Sequence, residues 1–474
     1  MDPATVHMAI TRSERTPFIV FVAASIVGAV IAARLGIPAA GLVLPCAAFA
    51  VLAIQSVRLQ IILLFATYSV SLTAAMFSAD VLLVLGLLGT WVSQRMFATR
   101  KSLFTGGIRR VALANALWVS LVFVWHLSDS PLSLAVISVA TKLALYYVLF
   151  AVLTDLVAVF TRRQVVVVLW WAWTFAVVVS SVAVFQYYVL EMTRIHSILE
   201  SNHAHLGNYG LVAMIVGGVL FTLAEGRWQR ILCLSSIPLF LLGTIVSQTR
   251  ADWIGAIVGL VLFGMLRGIK SFFAIGIVVA LVAVSGLVSH IIEKEIQKTM
   301  TGAELPDATS RTSVDMSSID RVLIWVGILS LEQQAPLLDL VAGFGPGQLP
   351  RVLYPHTELF RTFSREPEAN GAHNNFLHVL VECGIGGLLL FLAFFVRVIR
   401  DFSRVRRTGG VGARLIGAVV IAGTLALLVS GFTQETLYAQ TSMGNLFGFY
   451  LATLALSYRA TTLAADGSVS TLPV

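Results

Sequence analysis

Three basic side chains stand where apolar segments of the sequence meet polar ones. Arg250 lies in a short polar stretch, Arg321 begins a segment with helical spacing of apolar residues, and His373 directly precedes a long apolar run. A guanidinium group offers two parallel, charge-assisted hydrogen bonds to a phosphate, and a neutral imidazole accepts a proton from a hydroxyl group. Nearby guanidinium charges favour that neutral form. These residues predict a transfer reaction without metal or cofactor, in which Arg250 and Arg321 bind a departing diphosphate and His373 is the general base.

Each of these residues also has a structural explanation when it is taken alone. An arginine at a membrane interface often anchors a helix end while its aliphatic part packs on apolar surface. Arg321 is also a plausible helix-start residue paired with Asp320 or Glu332, and His373 a plausible helix-end residue. Asn374 is a favourable helix cap and needs no other role.

The composition predicts an all-α, polytopic helical membrane protein. The chain has 474 residues, of which 58% are hydrophobic and 12% charged, whereas soluble proteins carry about 25% charged residues. Apolar runs long enough to cross a bilayer as helices recur along the chain, and we predict about 14 spans, within a range of about 12 to 14. The first is interpreted as a retained helix and not a signal peptide. The predicted spans are 17–33, 37–54, 59–77, 79–95, 108–127, 132–160, 165–190, 206–224, 230–248, 252–267, 271–290, 376–396, 415–432 and 443–458.

The distribution of basic residues predicts the orientation of these spans. Eighteen Lys and Arg residues fall in the even-numbered connections, and only Arg34, Arg194 and Arg250 fall in the short odd-numbered ones. Because basic residues are retained on the cytoplasmic side, both termini are predicted to be cytoplasmic. Arg250, Arg321 and His373 then share the outer side. The net charge of +8 is spread over short loops and does not indicate nucleic-acid binding, and the three cysteines lie in apolar runs and predict neither a disulfide nor a metal framework.

One long polar segment interrupts the apolar pattern. We divide the chain into a cytoplasmic N-terminus (1–16), an N-terminal transmembrane bundle (17–290), an outer loop (291–375), C-terminal transmembrane helices (376–459) and a disordered cytoplasmic tail (460–474). A connection as long as 291–375 is expected to have a function. It contains a predicted helix from Ser318 and a predicted tight turn at Gly343-Phe-Gly-Pro-Gly347.

Three motifs in order resemble the O-antigen ligase and O-antigen polymerase superfamily of bacterial envelope glycosyltransferases. They are Ser247-Gln-Thr-Arg250-Ala, then Arg321 with Trp325 and the Gly343–Gly347 turn, and then Ala372-His373-Asn-Asn-Phe-Leu377 followed by Glu382-Cys-Gly384. The resemblance covers about residues 200–395. It implies that Arg250 and Arg321 bind a polyprenyl diphosphate, that His373 is the base, and that the site faces the periplasm from the bacterial inner membrane.

Other residues near the outer face are weaker candidates. Arg194, His203 and His205 lie in another outer loop and are candidates to line the path of the glycan. Asn374, within the third motif, and Glu382, which follows it, are further candidates. A carboxylate within a span, such as that of Glu382, is costly unless it has a partner. His378 is expected to pack on a different helix face from His373, and Glu435 in the last outer loop is the weakest candidate.

The resemblance leaves the acceptor open. The first interpretation is ligation of a glycan from undecaprenyl diphosphate to lipid A-core. The second is a polymerase that extends O-antigen, capsule or exopolysaccharide from the same donor. A protein glycosyltransferase is a third relative, and a transporter of lipid-linked glycans is a remote alternative suggested by Lys142 and Asp155 within a predicted span. In each case the expected partners are a lipid-linked glycan and the bilayer.

Overall fold

The computed structural model describes residues 56–69, 79–97, 106–127, 134–192, 195, 203–268, 276, 318–353, 371–435, 437–438 and 445–465. The predicted spans at 17–33 and 37–54, nearly all of 271–290, and Arg194 lie outside these ranges. The side chains of His203 and His205 also lie outside the described set, although both residues belong to a described helix.

All regular secondary structure in the described ranges is helical, which confirms the predicted all-α class. The helices are α1 (Val57–Ser69), α2 (Ala79–Phe97), α3 (Gly107–Trp125), α4 (Leu134–Leu156), α5 (Arg162–Tyr188), α6 (His203–Leu223), α7 (Arg227–Val246), α8 (Arg250–Arg267), α9 (Ser318–Gln334), α10 (Leu337–Ala342), α11 (Leu349–Leu353), α12 (Asn375–Thr408), α13 (Val411–Ser430) and α14 (Asn445–Ala465).

Seven helices in the described part of the chain are long and apolar enough to cross a membrane, which confirms a multi-pass membrane protein. They are α3, α4, α5, α6, α7, α12 and α13, and shorter apolar helices occur at Val57–Tyr68 and Leu83–Val92. Leu117, Leu121 and Val124 on α3 form an exposed apolar stripe, as expected of a lipid-facing helix surface. The total of 14 spans and the orientation remain predictions.

Helix α13 lies at the centre of the C-terminal part, where it packs against α6, α8, α12 and α14. Glycines allow its closest approach to α8. A Cβ atom at Gly255 would lie 2.7 Å from the carbonyl oxygen of Ala426, and one at Gly259 would lie 2.9 Å from the Ala426 Cβ. Small residues at helix interfaces give membrane helices their tight packing. This packing brings the start of α8 beside the end of α13.

Helix α12 is kinked in its N-terminal third. It has 34 residues, about 50 Å at 1.5 Å per residue, which exceeds the roughly 30 Å hydrocarbon core of a bilayer. Gly384 interrupts it with φ +66°. The backbone carbonyl groups before the kink accept hydrogen bonds from donors outside the helix. Backbone that is buried in a membrane protein needs such partners. The donors are Phe344 N to Val381 O (2.8 Å), Gly345 N to Glu382 O (3.1 Å) and Trp118 Nε1 to Cys383 O (2.9 Å).

The predicted glycine turn of the outer loop is present and lies against this kink. Gly343, Gly345 and Gly347 all have positive φ, at +82°, +101° and +78°. A side chain at Gly343 would overlap the backbone, because its Cβ would lie 2.5 Å from the Cys383 nitrogen. The turn needs glycine both for its left-handed backbone and for this close approach to α12.

Two further sequence expectations can be compared with the structure. Asp155, which suggested a transporter, forms a 3.3 Å ion pair with Arg109 and accepts a 2.9 Å hydrogen bond from Trp91 Nε1. Its charge therefore has a structural partner. Helix α14 continues to Ala465, so the helix extends past residue 460, where the disordered tail was predicted to begin.

Candidate functional site

His373 lies in the turn that leads into α12, and its backbone is fixed from two directions. Its φ of +48° is uncommon for a residue with a side chain. The His373 N–H donates a 2.7 Å hydrogen bond to Glu435 Oε1. The carbonyl oxygen of the preceding residue, Ala372, accepts a 2.9 Å hydrogen bond from Trp325 Nε1 of α9. The outer-loop helix and the α13–α14 connection therefore both position this histidine.

Asn374 has the capping role that the sequence allowed. Its side chain accepts hydrogen bonds from Phe376 N at 2.9 Å and Leu377 N at 3.1 Å, which satisfies the first turn of α12. The next residue, Asn375, donates from its backbone N–H to Gly431 O at 2.8 Å and accepts at Oδ1 from Leu437 N at 3.1 Å. The two hydrogen bonds of Asn375 connect the start of α12 to the segment that contains Glu435.

His378 lies between two carboxylates, so the expectation that it only packs on a different face was wrong. Its Nδ1 is 2.8 Å from Glu435 Oε1, and its Nε2 is 3.1 Å from Glu382 Oε1. The expectation assumed one continuous helix through His373 and His378. Because His373 precedes α12 in a left-handed conformation, helical spacing does not relate the two residues, and Glu435 contacts the backbone of one and the ring of the other.

Glu382 is buried, and both of its carboxylate oxygens accept hydrogen bonds. A carboxylate within a membrane span is costly without such partners. Its Oε2 accepts hydrogen bonds from Gly347 N at 2.7 Å and from the Tyr438 hydroxyl at 2.5 Å, while Oε1 accepts from Leu349 N at 3.1 Å. The His378 ring completes its set of partners. Glu382 thus connects the glycine turn, the α13–α14 connection and α12.

The surroundings of His373 favour the neutral form of its imidazole. Burial lowers the pKa of its imidazole below the usual value, Glu435 raises it, and Arg321 and His378 lower it further, with a net decrease. Burial would raise the pKa of the Glu435 carboxyl, but the charge and hydrogen bond of His378, and then His373, hold it below its usual value. The site therefore combines a neutral imidazole, which can accept a proton, with an ionised carboxylate behind it.

Arg321, in the first turn of α9, links two parts of this region. Its charge acts on His373 and also on Asp252 of α8. The structure therefore brings Arg321 into electrostatic range of the predicted base. Arg250 is the exposed first residue of α8, two positions before Asp252, which puts both predicted arginines at the same end of the helix bundle.

A buried polar cluster at this end was missed by the sequence analysis. Asp252 is fully buried, and its Oδ1 accepts hydrogen bonds from Asn208 Nδ2 at 2.5 Å and from the Ser430 hydroxyl at 2.6 Å. The three residues come from α6, α8 and α13. A carboxylate at the first position of the predicted apolar span 252–267 was the available signal, since such residues are costly and usually functional or paired. The partners, distant in sequence, could not be identified.

Comparison with known proteins supports the resemblance seen in the motifs. Residues 235–392 match the family model described as O-Antigen ligase. A protein of Rickettsia felis named "Putative polysaccharide ligase" is 24% identical over 188 residues, which is 40% of this chain and 44% of that protein. A protein of Rickettsia conorii with the same description is 25% identical over 187 residues, 39% of this chain and 42% of its own. The matched region thus spans less than half the length of these relatives. Residues 235–392, which match the family model, contain Arg250, Arg321 and His373.

Proposed function

We propose that this protein is a glycosyltransferase of the bacterial cell envelope, which transfers a glycan from undecaprenyl diphosphate to a lipid A-core acceptor at the periplasmic face of the inner membrane. The observation that carries the proposal is the environment of His373. A neutral imidazole beside Arg321, with an ionised carboxylate at its backbone, suits removal of a proton from an acceptor hydroxyl next to a departing phosphate. The match to the O-antigen ligase family supports the same reaction.

In the proposed reaction the hydroxyl oxygen of the acceptor attacks the anomeric carbon of the donor glycan. The hydroxyl proton passes to His373, a new glycosidic bond forms, and the bond between the anomeric carbon and the diphosphate oxygen breaks. The electron pair of that bond leaves with the polyprenyl diphosphate. Arg250 and Arg321 stabilise its negative charge, which is largest as the bond breaks.

Glu435 supports this step through His373. Once the imidazole has taken the proton it carries a positive charge, and the nearby Glu435 carboxylate favours that charged form. The hydrogen bond from the His373 N–H to Glu435 also keeps the left-handed turn in place. Glu435 is therefore a positioning and electrostatic residue in this proposal, while His373 is the catalytic residue.

The acceptor distinguishes this proposal from its alternatives. A polymerase would use the same donor and the same base but would transfer the glycan to a second lipid-linked glycan. The descriptions of the matching family and of both relatives favour a ligase. A transporter is disfavoured because Asp155, a main feature that suggested it, has Arg109 as a structural partner.

A reconstituted transfer assay tests the proposal. The full chain in lipid nanodiscs is supplied with a lipid-linked glycan and with either lipid A-core or a second molecule of the donor. Glycan bound to lipid A-core supports ligation, and glycan joined to a second lipid-linked glycan, without product on lipid A-core, identifies a polymerase. If neither mixture yields product while the protein moves the donor between leaflets, the transporter alternative replaces both.

A further inference from the structure

His378 of α12 is buried between two carboxylates that come from different parts of the chain. Its Nδ1 lies 2.8 Å from Oε1 of Glu435, and its Nε2 lies 3.1 Å from Oε1 of Glu382. All three residues are buried, with 4% of His378, 6% of Glu435 and 1% of Glu382 exposed. The hydrogen bonds of these groups are therefore made to one another and to neighbouring protein atoms.

Hydrogen-bond geometry indicates that the His378 ring is positively charged. A neutral imidazole has one N–H donor and one acceptor nitrogen, whereas an ionised carboxylate can only accept. The ring can donate to both carboxylates only when each of its nitrogens carries a proton. The alternative is that one of the two carboxyl groups holds the proton and donates it to a neutral ring.

Backbone donors favour the ionised form of both carboxylates. The backbone N–H groups of the following residues donate to them: Gly347 (2.7 Å) and Leu349 (3.1 Å) to Glu382, and His373 (2.7 Å) to Glu435. A backbone N–H cannot act as an acceptor, and hydrogen bonds donated to a carboxylate stabilise its charged form. The proton shared within this cluster therefore belongs to His378, and its ring is an imidazolium between two anions.

The ring of Tyr438 supports the charge of His378. The two rings are stacked, with centroids 4.2 Å apart and planes inclined by 29°, and the face of an aromatic ring attracts a cation. The Tyr438 hydroxyl donates to Oε2 of Glu382, so the tyrosine also orients one of the flanking carboxylates. Tyr438 and Glu435 both belong to the α13–α14 connection, which therefore contacts the imidazolium at its face and at one edge.

One oxygen atom connects this cation to the predicted base. Oε1 of Glu435 accepts the hydrogen bond of His373 N and also faces Nδ1 of His378. We propose that His378 is a positioning residue for the transfer reaction, a buried imidazolium that keeps Glu435 ionised and so holds the turn of His373. The inference rests on the proposed function, because it needs His373 to be the base.

The charge of His378 has a defined effect on the pH dependence of transfer. The active form needs a neutral His373 ring and an ionised Glu435, so both groups must have lost a proton. Burial lowers the pKa of His373 and raises that of Glu435, while the positive charge of His378 lowers both. Removing that charge should therefore move the acidic limb to higher pH, whichever of the two groups titrates. The other titratable groups around the cluster stay in place in this comparison: Glu382 and Cys383 of α12, Tyr438 of the α13–α14 connection and Arg321 of α9.

Replacing His378 with glutamine tests the proposal in the reconstituted transfer assay. His378→Gln removes the charge but keeps an amide that can donate to a neighbouring carboxylate. The acidic limb of kcat/KM should move to higher pH by about one pH unit, the scale of the effect of one nearby charge, so that activity on this limb falls about tenfold. At higher pH Glu435 is ionised without His378, and kcat should return close to the wild-type value.

Trp118→Phe is the matched control, because it loses a 2.9 Å hydrogen bond to Cys383 O in the same part of α12 without any change of charge. Its acidic limb should stay at the wild-type position. An unchanged limb in His378→Gln, or a shift to lower pH, would overturn the proposal. A loss of kcat that is equal at every pH would also overturn it, since that result would indicate a purely structural role.

A measurement on the ring itself keeps the test independent of activity and of the folding of the variant. The nitrogen chemical shifts of isotope-labelled histidine distinguish an imidazolium from a neutral imidazole. The His378 signal is assigned by its loss in His378→Gln or, if that variant does not fold, by replacing each other histidine in turn. In the wild type at neutral pH, both ring nitrogens of His378 should carry a proton.

The two kinds of measurement separate the failure of this proposal from the failure of the proposed function. A neutral His378 ring in a protein that transfers glycan would overturn the positioning role alone. A charged His378 ring in a wild-type protein that transfers no glycan would overturn the proposed function, and the role of His378 in transfer with it.

Discussion

Glu435 Oε1 accepts a 2.7 Å hydrogen bond from the backbone N–H of His373, 62 positions earlier in the chain. The same oxygen lies 2.8 Å from the ring of His378. One carboxylate thus fixes the turn that carries the predicted base and faces a second histidine behind it. This arrangement makes the ionisation of Glu435 part of the pH dependence of the site.

Removing the charge of Glu435 should shift the pH profile of transfer. The base must be neutral, so kcat/KM falls as pH drops through the pKa of His373, which lies below its usual value. Glu435 raises that pKa, and Glu435→Gln should therefore move the acidic limb to still lower pH and reduce kcat. Glu225→Gln, at an exposed carboxylate paired with Arg162, is the control and should leave the profile unchanged. A shift to higher pH would contradict the assigned electrostatics.

Trp325→Phe should slow turnover without weakening donor binding. The change removes the indole N–H that binds Ala372 O beside His373, at a cost of about 0.5 to 1.5 kcal/mol. Because the turn is then held less tightly, kcat should fall several-fold while the KM for the donor stays near the wild-type value. Trp173→Phe loses a comparable bond to Ser236 and should keep full turnover. Equal kcat losses in both variants would indicate general destabilisation instead.

Gly343→Ala should destabilise the fold, because the residue has φ +82° and its new Cβ would lie 2.5 Å from the Cys383 backbone nitrogen. We expect a loss of more than about 2 kcal/mol, seen as a lower unfolding temperature. Gly89→Ala, on helix α2 with nothing within 4 Å of the new Cβ, should be neutral or stabilising by about 0.5 to 1 kcal/mol. An unchanged unfolding temperature for Gly343→Ala would mean that the glycine turn does not lie against the kink of α12.

Lysine should not restore the function of either arginine that is predicted to bind the diphosphate. Arg250→Lys and Arg321→Lys keep the charge but lose the planar fork that binds two phosphate oxygens at once. Each should lower kcat/KM for the lipid-linked donor by about tenfold or more, the scale of one strong charge-assisted hydrogen bond. Arg400→Lys, exposed far along α12, should leave transfer unchanged. Wild-type kinetics for both site variants would argue against a diphosphate clamp.

Local sequence patterns predicted the elements but not the contacts between them. Apolar run lengths predicted the seven described helices that are long and apolar enough to cross a membrane, and glycine spacing predicted the turn at Gly343–Gly347, since both are properties of short segments. The Asp252 cluster joins residues 44 and 178 positions apart. No local pattern encodes such a contact, because it arises only when α6, α8 and α13 pack.

Burial also changed the interpretation of individual residues. Glu382 could be recognised as a carboxylate that needs partners, because its apolar surroundings are visible in the sequence. Its partners at Gly347 N and Leu349 N depend on the outer loop folding back over α12. An acidic residue in a loop is ordinarily solvated, so the burial of Glu435 against His373 is a tertiary effect that its local sequence does not indicate.

The most direct test is the turnover of His373→Ala in the reconstituted transfer from lipid-linked donor to lipid A-core. A general base contributes about 10² to 10⁴ to the rate, so turnover should fall at least about 100-fold. Donor binding and the unfolding temperature should stay at their wild-type values. Wild-type turnover by a folded, donor-binding His373→Ala protein would contradict the assignment of His373 as the base.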